Sequence, residues 1–422
     1  RGVGGVFVHP RPGLITEYLS GRWFDLWRHA LRECARLGLQ CHIYDENSYP
    51  SGFAGGHVVA DDPRAVAQTL VAVGREGDRL LTEVRDAEPD LFHAGFGYVD
   101  LARPEPTQLF IEKTHAQYAR HFQSDFGQTI RYVFTDEPEI GNRKGLVWSP
   151  HLREEFRREH GYDVQDRLTA FVDEAEASYA VRFDFQWTVQ RLFTTHHLRP
   201  IHDWCAAHGL AYTGHFNEHE WPSPARLPDV MAALRWLHVP GNDLLGFQFK
   251  PQQPDANGLH LLNLTELRSV ANQLGRERVL CETAGGGGYG FALADLKSLD
   301  DFALAHGVNL INPHLSYASL AGARKYDWPQ TLSDHSPWWD AYGGQADHVA
   351  RVVAALRAGR QHNRILLLHP TTSAWIHHRP EWFGATGDAL KRIRDEQVGL
   401  VQSLQDGCFD FELGNELIMA EL

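Results

Sequence analysis

The sequence predicts a (β/α)8 TIM barrel over residues 1–358, followed over 359–422 by the start of a second α/β domain. Two observations carry this. Short apolar runs alternate with longer amphipathic ones, the pattern of parallel strands joined by helices. Polar and acidic residues then recur at the carboxyl ends of those runs, the face on which a barrel assembles its chemistry. An open doubly wound sheet is the alternative, and there is no internal repeat of fixed period.

The elements follow in order. Gly4–His9 reads as the first strand, and Ser20 caps a helix to Leu37 whose Trp23, Trp27, Leu31 and Cys34 recur at helical spacing before Gly38 stops it. Leu39–Tyr44 is the second strand and runs into Asp45-Glu46. Residues 48–95 form an excursion that opens with a glycine-rich loop. Tyr98–Leu101 reads as a weak third strand, Thr107–Phe122 as a helix, and Ile130–Phe134 as a fourth strand delivering Thr135-Asp136-Glu137-Pro138. Helices over Leu152–His160 and Glu174–His208 precede strands at Leu210–Thr213, Leu244–Phe249, Arg278–Cys281 and Val308–Ile311. A helix over Gln345–Leu356, a strand at Arg364–His369, a helix over 385–405 and a strand at Phe409–Phe411 then make one β/α unit more than a closed barrel holds.

Composition narrows the function. Hydrophobic residues make up 43% and charged residues 22%, enough for a large packed body. A net charge of −14 repels phosphate backbones and anionic lipid, so no nucleic acid or membrane partner is expected. No apolar run reaches the ~18 residues of a membrane span. The chain reads as soluble, cytoplasmic or periplasmic, with its oligomeric state open. It begins on Arg1 and stops inside a structured segment, so both ends read as cut from something longer. The five cysteines (Cys34, Cys41, Cys205, Cys281, Cys408) lack metal-binding spacing and read as reduced, mostly buried thiols.

Glu137 and Glu282 are the strongest catalytic candidates, each directly after a short apolar strand. Two carboxylates facing across a pocket are what glycosidic bond cleavage requires: one protonates the leaving oxygen, and the other attacks the anomeric carbon or activates water. The bland alternatives are a helix cap for Glu137 and an ion pair with an arginine such as Arg324 for Glu282. Glu218 and Glu220 are reserve candidates for the base. Asp45, Glu46, His215, Asn217, His314 and Lys325 are candidates for binding sugar hydroxyls, and Trp339, one of twelve tryptophans, for a sugar platform or a lid.

Other motifs compete. His215-Phe216-Asn217-Glu218-His219 matches HxxEH, a zinc-peptidase motif that needs a helix. It follows a strand and runs into Pro222 and Pro224, which disfavour one. Gly285–Gly288 with Gly290 satisfies GxGxxG, but four consecutive glycines match almost any glycine pattern; no organic cofactor is expected. Asp136 and Glu139, with Asp45-Glu46, supply oxygens that suit calcium. No GxSxG elbow and no phosphate-binding GxxxxGK[ST] loop occurs. A zinc-dependent peptidase and a non-catalytic carbohydrate-binding barrel stay open as alternatives.

The segments YDENSYPSGFAGG, IRYVFTDEPE, YTGHFNEHE, VPGNDLL, CETAGGGGYG and HGVNLINPHLSYASLAGARKYDWP together resemble, in order, the catalytic barrel of glycoside hydrolase family 106, the α-L-rhamnosidases. RILLLHPTTSAW is similar to the flavodoxin-like domain that follows such barrels. The resemblance implies exo-acting hydrolysis of a terminal neutral sugar, calcium near the sugar hydroxyls, and inversion by an acid and a water-activating base. Retaining barrel glycosidases instead carry glutamates after strands four and seven, the places Glu137 and Glu282 occupy in the count above. Two departures bear on the substrate: most flanking β-sandwich modules of the family are not in this sequence, and Asn47-Ser48-Tyr49 stands where a tryptophan precedes the proline.

Overall fold

The computed structural model describes residues 2–420 except 92, 250–257, 327, 330, 331 and 384–386. The expected helix over 385–405 therefore begins outside the described residues; its described part is Asp388–Asp406.

Seven parallel strands make a curled sheet: β1 (Gly5–Val8), β2 (Gln40–Tyr44), β5 (Tyr132–Asp136), β7 (Ala211–His215), β8 (Val239–Leu244), β9 (Leu280–Thr283) and β10 (Leu310–Pro313), paired in that order. Between them in the chain lie β3 (Gln68–Glu76), β4 (Arg79–Asp86) and β6 (Leu146–Trp148), a separate antiparallel sheet ordered β4-β3-β6. The first helix is Gly21–Arg36, with the Ser20 side chain accepting from Trp23 N–H as its cap. Tyr44, Phe134, Val239 and Leu280 fill the sheet's concave face, while most of the core lies between sheet and helices.

Three expectations change. Tyr98–Leu101 is not a strand of the main sheet: Val99 makes one antiparallel bridge to Val66, and β2 pairs directly with β5 through Ile43↔Val133 and Tyr44↔Phe134. Tyr98 instead anchors the excursion, its hydroxyl donating to the Ser51 carbonyl. Beyond its expected opening loop the excursion carries a β-hairpin, β3–β4, where no element was expected. The sixth strand lies at Val239–Leu244, ahead of its expected place, because Pro240, Gly241, Asn242 and Asp243 disguise it as a turn.

Among the described residues β1 and β10 are sheet edges, and an apolar cavity of about 720 Å3 runs along them, lined by Phe7, Leu315 and Trp339 among others. The sheet is a curled partial barrel, and a closed eight-stranded barrel is not what these residues form. Counted along it, Glu137 follows the third strand and Glu282 the sixth, so the strand count no longer argues for retention.

Beyond residue 358, β11 (Ile365–Leu368) and β12 (Phe411–Gly414) pair in parallel, with helices Thr371–His377 and Asp388–Asp406 between them. This is the expected β/α unit; a two-stranded sheet does not by itself make a flavodoxin-like domain. It seats on helix Leu259–Gln273, where Arg268 donates to the Phe411 carbonyl at 3.0 Å and Gln273 to that of Leu413 at 2.8 Å. That helix is buried nearly all round because it is covered on both sides. Four cysteines are buried and Cys408 is exposed, all free thiols. No described helix is long and apolar enough to cross a membrane.

Candidate active site

A cleft of about 410 Å3 opens at the carboxyl ends of the parallel strands, lined by Glu137 and Asp136 (β5), His215 (β7), Asp243 (β8), Glu282 (β9) and His314 beyond β10. Glycine makes the central juxtaposition possible. A Cβ at Gly214, whose φ is +133°, would stand 1.9 Å from the Thr135 carbonyl oxygen, so only glycine lets β7 pass β5 this closely and set His215 opposite Asp136. Glu137 follows with φ +43°, a strained conformation for a non-glycine residue and common where side chains are aimed for function.

The two glutamates have opposite electrostatic surroundings. Burial and the charge of Asp136 push the Glu137 carboxyl up to about 8. Burial would also raise Glu282, but the His215 hydrogen bond and the charge of His314 outweigh it and hold Glu282 below its ordinary value. His215 Nε2 lies 3.0 Å from Glu282 Oε2 and 3.6 Å from Asp136 Oδ1; His314 Nε2 lies 3.7 Å from Glu282 Oε1. Burial disfavours a charged His215, yet its hydrogen bond to Glu282 and the charge of Asp136 raise it well above the imidazole range. At neutral pH the cleft thus holds a protonated carboxyl at 137 and an ionised carboxylate at 282 beside an imidazolium.

Asn217, on the loop after β7, accepts from Arg226 at 3.0 Å and lines the cleft. Glu220 lines it too, but is clamped by Arg226 at 3.0 Å and by Arg143, which leaves it poorly placed to take a proton from water. Glu218 sits behind the wall, 3% exposed, where Oε1 accepts the Asp243 N–H; it supports β8 rather than facing the cleft.

Asp45 and Glu46 are fully buried and off the cleft wall. Asp45 accepts from the Ser51 hydroxyl at 2.7 Å, and Glu46 accepts backbone N–H groups of Asn47, Gly52, Phe53, Ala54 and Gly55, so both acids shape the loop over 47–56. Lys325 is exposed on the short 3-10 turn Gly322–Tyr326 and Trp339 lines the edge cavity; neither lines the cleft.

Asp136 and Glu139 do not form the expected calcium set. Asp136 Oδ2 accepts from the Tyr44 hydroxyl and Glu139 pairs with Arg226 at 3.1 Å. Among the described residues, Glu137, His219 and Asp243 are the group whose ligand atoms all lie within 4.8 Å. Nor is HxxEH helical: His215 ends a strand, Glu218–Glu220 is a 3-10 turn, and His215 is bonded to Glu282, so the zinc-peptidase arrangement of two histidines one helical turn apart is not formed.

Arg11, Tyr49, Arg143, Arg226 and Asp243, which were not among the expected site residues, also line the cleft, as do His219 of the HxxEH motif and Trp328. Asp243 had a signal, an acid at a strand end, hidden by the misplaced strand. Arg226 gave none, because its role depends on contacts with Glu139, far away in sequence.

Such a cleft on a curled parallel sheet is the setting of a barrel hydrolase, and the comparisons give its class as glycoside hydrolase. The family model of glycoside hydrolase family 106, described as alpha-L-rhamnosidase, matches residues 92–374, and the chain belongs to that family. No curated protein matches by sequence. Among solved structures, the chain is similar to a rhamnosidase from Novosphingobium sp. PP1Y (22% identity over 64% of this chain and 26% of that one, TM-score 0.52). It is also similar to a catalytic mutant of a GH42 β-galactosidase from G. stearothermophilus (12% identity over 93% of this chain and 58% of that one, TM-score 0.57). The chain thus spans about a quarter and under two thirds of their lengths.

Proposed function

We propose that this chain hydrolyses a terminal α-L-rhamnoside or closely related neutral sugar, exo-acting and with inversion. Glu137 is the general acid and Glu282 the general base. The observation that carries this reading is two glutamates in one cleft with opposite surroundings, Glu282 flanked by His215 and His314 and Glu137 buried beside the charge of Asp136, the division of labour that glycosidases build from environment. Glu137 gives its proton to the glycosidic oxygen as the bond to the anomeric carbon breaks. Glu282 takes a proton from the water that attacks that carbon from the opposite face. His215 and His314 keep Glu282 ionised, and Asn217, Asp243 and Arg226 face the sugar hydroxyls. A volume of about 410 Å3 suits one sugar ring with the first atoms of its leaving group, which supports exo action.

Calcium, which the family resemblance implies, fits these residues poorly. Glu137, His219 and Asp243 offer three donors, one of them an imidazole nitrogen, against the six to eight oxygens calcium takes. In this reading Glu137 also carries a proton, so no step is routed through a cation.

The test is turnover of phenyl α-L-rhamnoside, whose poor leaving group needs a proton, by wild type, Glu137→Gln and Glu282→Gln, with NMR of the first-formed anomer. We expect β-L-rhamnose first from wild type and a loss of about 10²–10⁴ in kcat for each variant. Wild-type rates in either variant would remove that residue from the chemistry, and sugar binding without turnover by wild type would favour a carbohydrate-binding barrel.

A further inference from the structure

The β/α unit beyond residue 358 takes no part in the chemistry above, yet it touches the back of the cleft. Its contacts fall on the two loops that carry Arg143, Asn217, Glu220 and Arg226. In the loop after β5, the Arg143 carbonyl accepts from the Glu381 N–H at 3.2 Å. In the loop after β7, the Trp375 indole N–H donates to the Pro228 carbonyl at 2.7 Å and the Asn415 amide to the Asp229 carboxyl at 2.7 Å. His369, directly after β11, meets the Trp221 ring in a T-shaped contact with centroids 4.9 Å apart.

The loop after β7 needs such support. Between His215 and the helix Val230–Leu234 it forms one short 3-10 turn, Glu218–Glu220, and Pro222, Pro224 and Pro228 lack the N–H donors that could tie it to itself. Asn217 and Glu220 line the cleft, and Trp221, the next residue, is buried away from it. Directly behind lies a small cavity lined by Asn217, Trp221, Glu266 and His369 among others, so Asn217 has the cleft on one side and the C-terminal unit on the other.

His369 is itself held from three directions. Its Nε2 lies 2.9 Å from Glu266 Oε1 on helix Leu259–Gln273, its Nδ1 2.8 Å from the Thr371 hydroxyl oxygen, and its backbone N–H donates to the Gly414 carbonyl at 2.8 Å. Imidazole and carboxyl are both buried, so the ring cannot turn away from Trp221. The reacting groups are placed differently: His215 ends β7, Glu282 lies within β9 and Glu137 follows β5. Moving the loop therefore disturbs the side chains that meet the sugar and leaves the acid and base on their strands.

We propose that His369 is a positioning residue: through Trp221 it holds the loop over 216–229 so that Asn217 and Arg226 meet the sugar, an inference that rests on the glycosidase reading above. The experiment measures kcat, KM, their pH dependence and the melting temperature with phenyl α-L-rhamnoside. The proteins are wild type, His369→Gln, which keeps an amide for Glu266 but loses the ring, Trp221→Leu, and the double variant. Gln273→Ala is the control, since it loosens the seat of Leu413 without touching Trp221. A contact can bias a loop by no more than the contact is worth, so each single variant should raise KM about 3- to 10-fold, the value of one ring pair. kcat should stay within about twofold and both limbs of the pH profile in place. The double variant should raise KM no further than the larger single effect, because both changes remove one contact. Gln273→Ala should leave KM unchanged. KM effects that multiply in the double variant, or kcat and KM that worsen in step with melting temperature in every variant including the control, would overturn the positioning role. Should His369→Gln fail to fold, Trp221→Phe decides: it keeps a ring for His369 to meet and should regain most of the KM lost in Trp221→Leu, and equal KM values in the two overturn the proposal. Wild-type KM in both single variants overturns the positioning role alone. A wild type that does not hydrolyse the rhamnoside overturns the glycosidase reading, and the positioning role with it.

Discussion

Asp136 and Glu137 are consecutive, yet one faces Tyr44, Arg11 and His215 while the other turns, at φ +43°, into the open cleft. At this scale the account stands on His215. Its hydrogen bond to Glu282 favours the ionised carboxylate, so its removal lets burial raise Glu282. The proposed roles predict that in the pH profile of kcat/KM the acid limb belongs to Glu282, which must be ionised, and the alkaline limb, near pH 8, to Glu137, which must be protonated. His215→Asn should move the acid limb up by about one pH unit or more and the alkaline limb up by less, because the His215 charge also lowers Glu137. An acid limb that stays in place would mean that another group sets the charge of Glu282.

Two loops, after β5 and after β7, are joined by the Arg226 guanidinium, which holds Glu139 at 3.1 Å, Glu220 at 3.0 Å and the Asn217 side chain at 3.0 Å. Arg226→Ala would release Glu139 and loosen Asn217 and Glu220, the last still held by Arg143. We expect kcat/KM to fall about 10- to 100-fold with a small change in melting temperature, because misplacement rather than unfolding is the result; a rate within twofold of wild type would show that the loops hold their positions without it. Elements of this kind set the limit of what sequence shows. Glu137 and Glu282 were legible because each directly follows an apolar run that can only be a buried strand. Asp45 and Glu46 have the same local signature but are consumed by the Ser51 hydroxyl and by five backbone N–H groups of the following loop. Asp243 was obscured by the proline, glycine and asparagine of its own strand, and Arg226 by the sequence distance to Glu139.

Over the whole molecule, two sets of buried groups oppose each other. Burial raises Glu137 to about 8 and Glu139, Glu218 and Asp300 to about 7, so the folded state holds protons the unfolded chain has lost, and their contribution fades as pH rises toward 8. Burial lowers His42 and His238 to about 4 and His115, His197, His219 and His378 to about 3, so their contribution is present above the ordinary value of 6.5 and lost on acidification below it. Between pH 6.5 and 8 the carboxyl set and the raised His215 lose their contribution, while the lowered histidines, already half titrated in the unfolded chain at 6.5, gain little more. The melting temperature should fall across that interval, and Glu139→Gln should flatten the slope; a melting temperature that rises from pH 6.5 to 8 would contradict the assignment. In the proposed reading the fold serves one arrangement, an acid and a base held in different charge states in a single cleft. Its most direct test is kcat/KM for aryl α-L-rhamnosides spanning a range of leaving-group pKa, in wild type and Glu137→Gln. A general acid at 137 predicts a far steeper dependence in the variant, with the best leaving groups nearly spared and the poorest losing about 10²–10⁴-fold. Parallel dependences in the two proteins would mean that Glu137 gives no proton to the leaving oxygen.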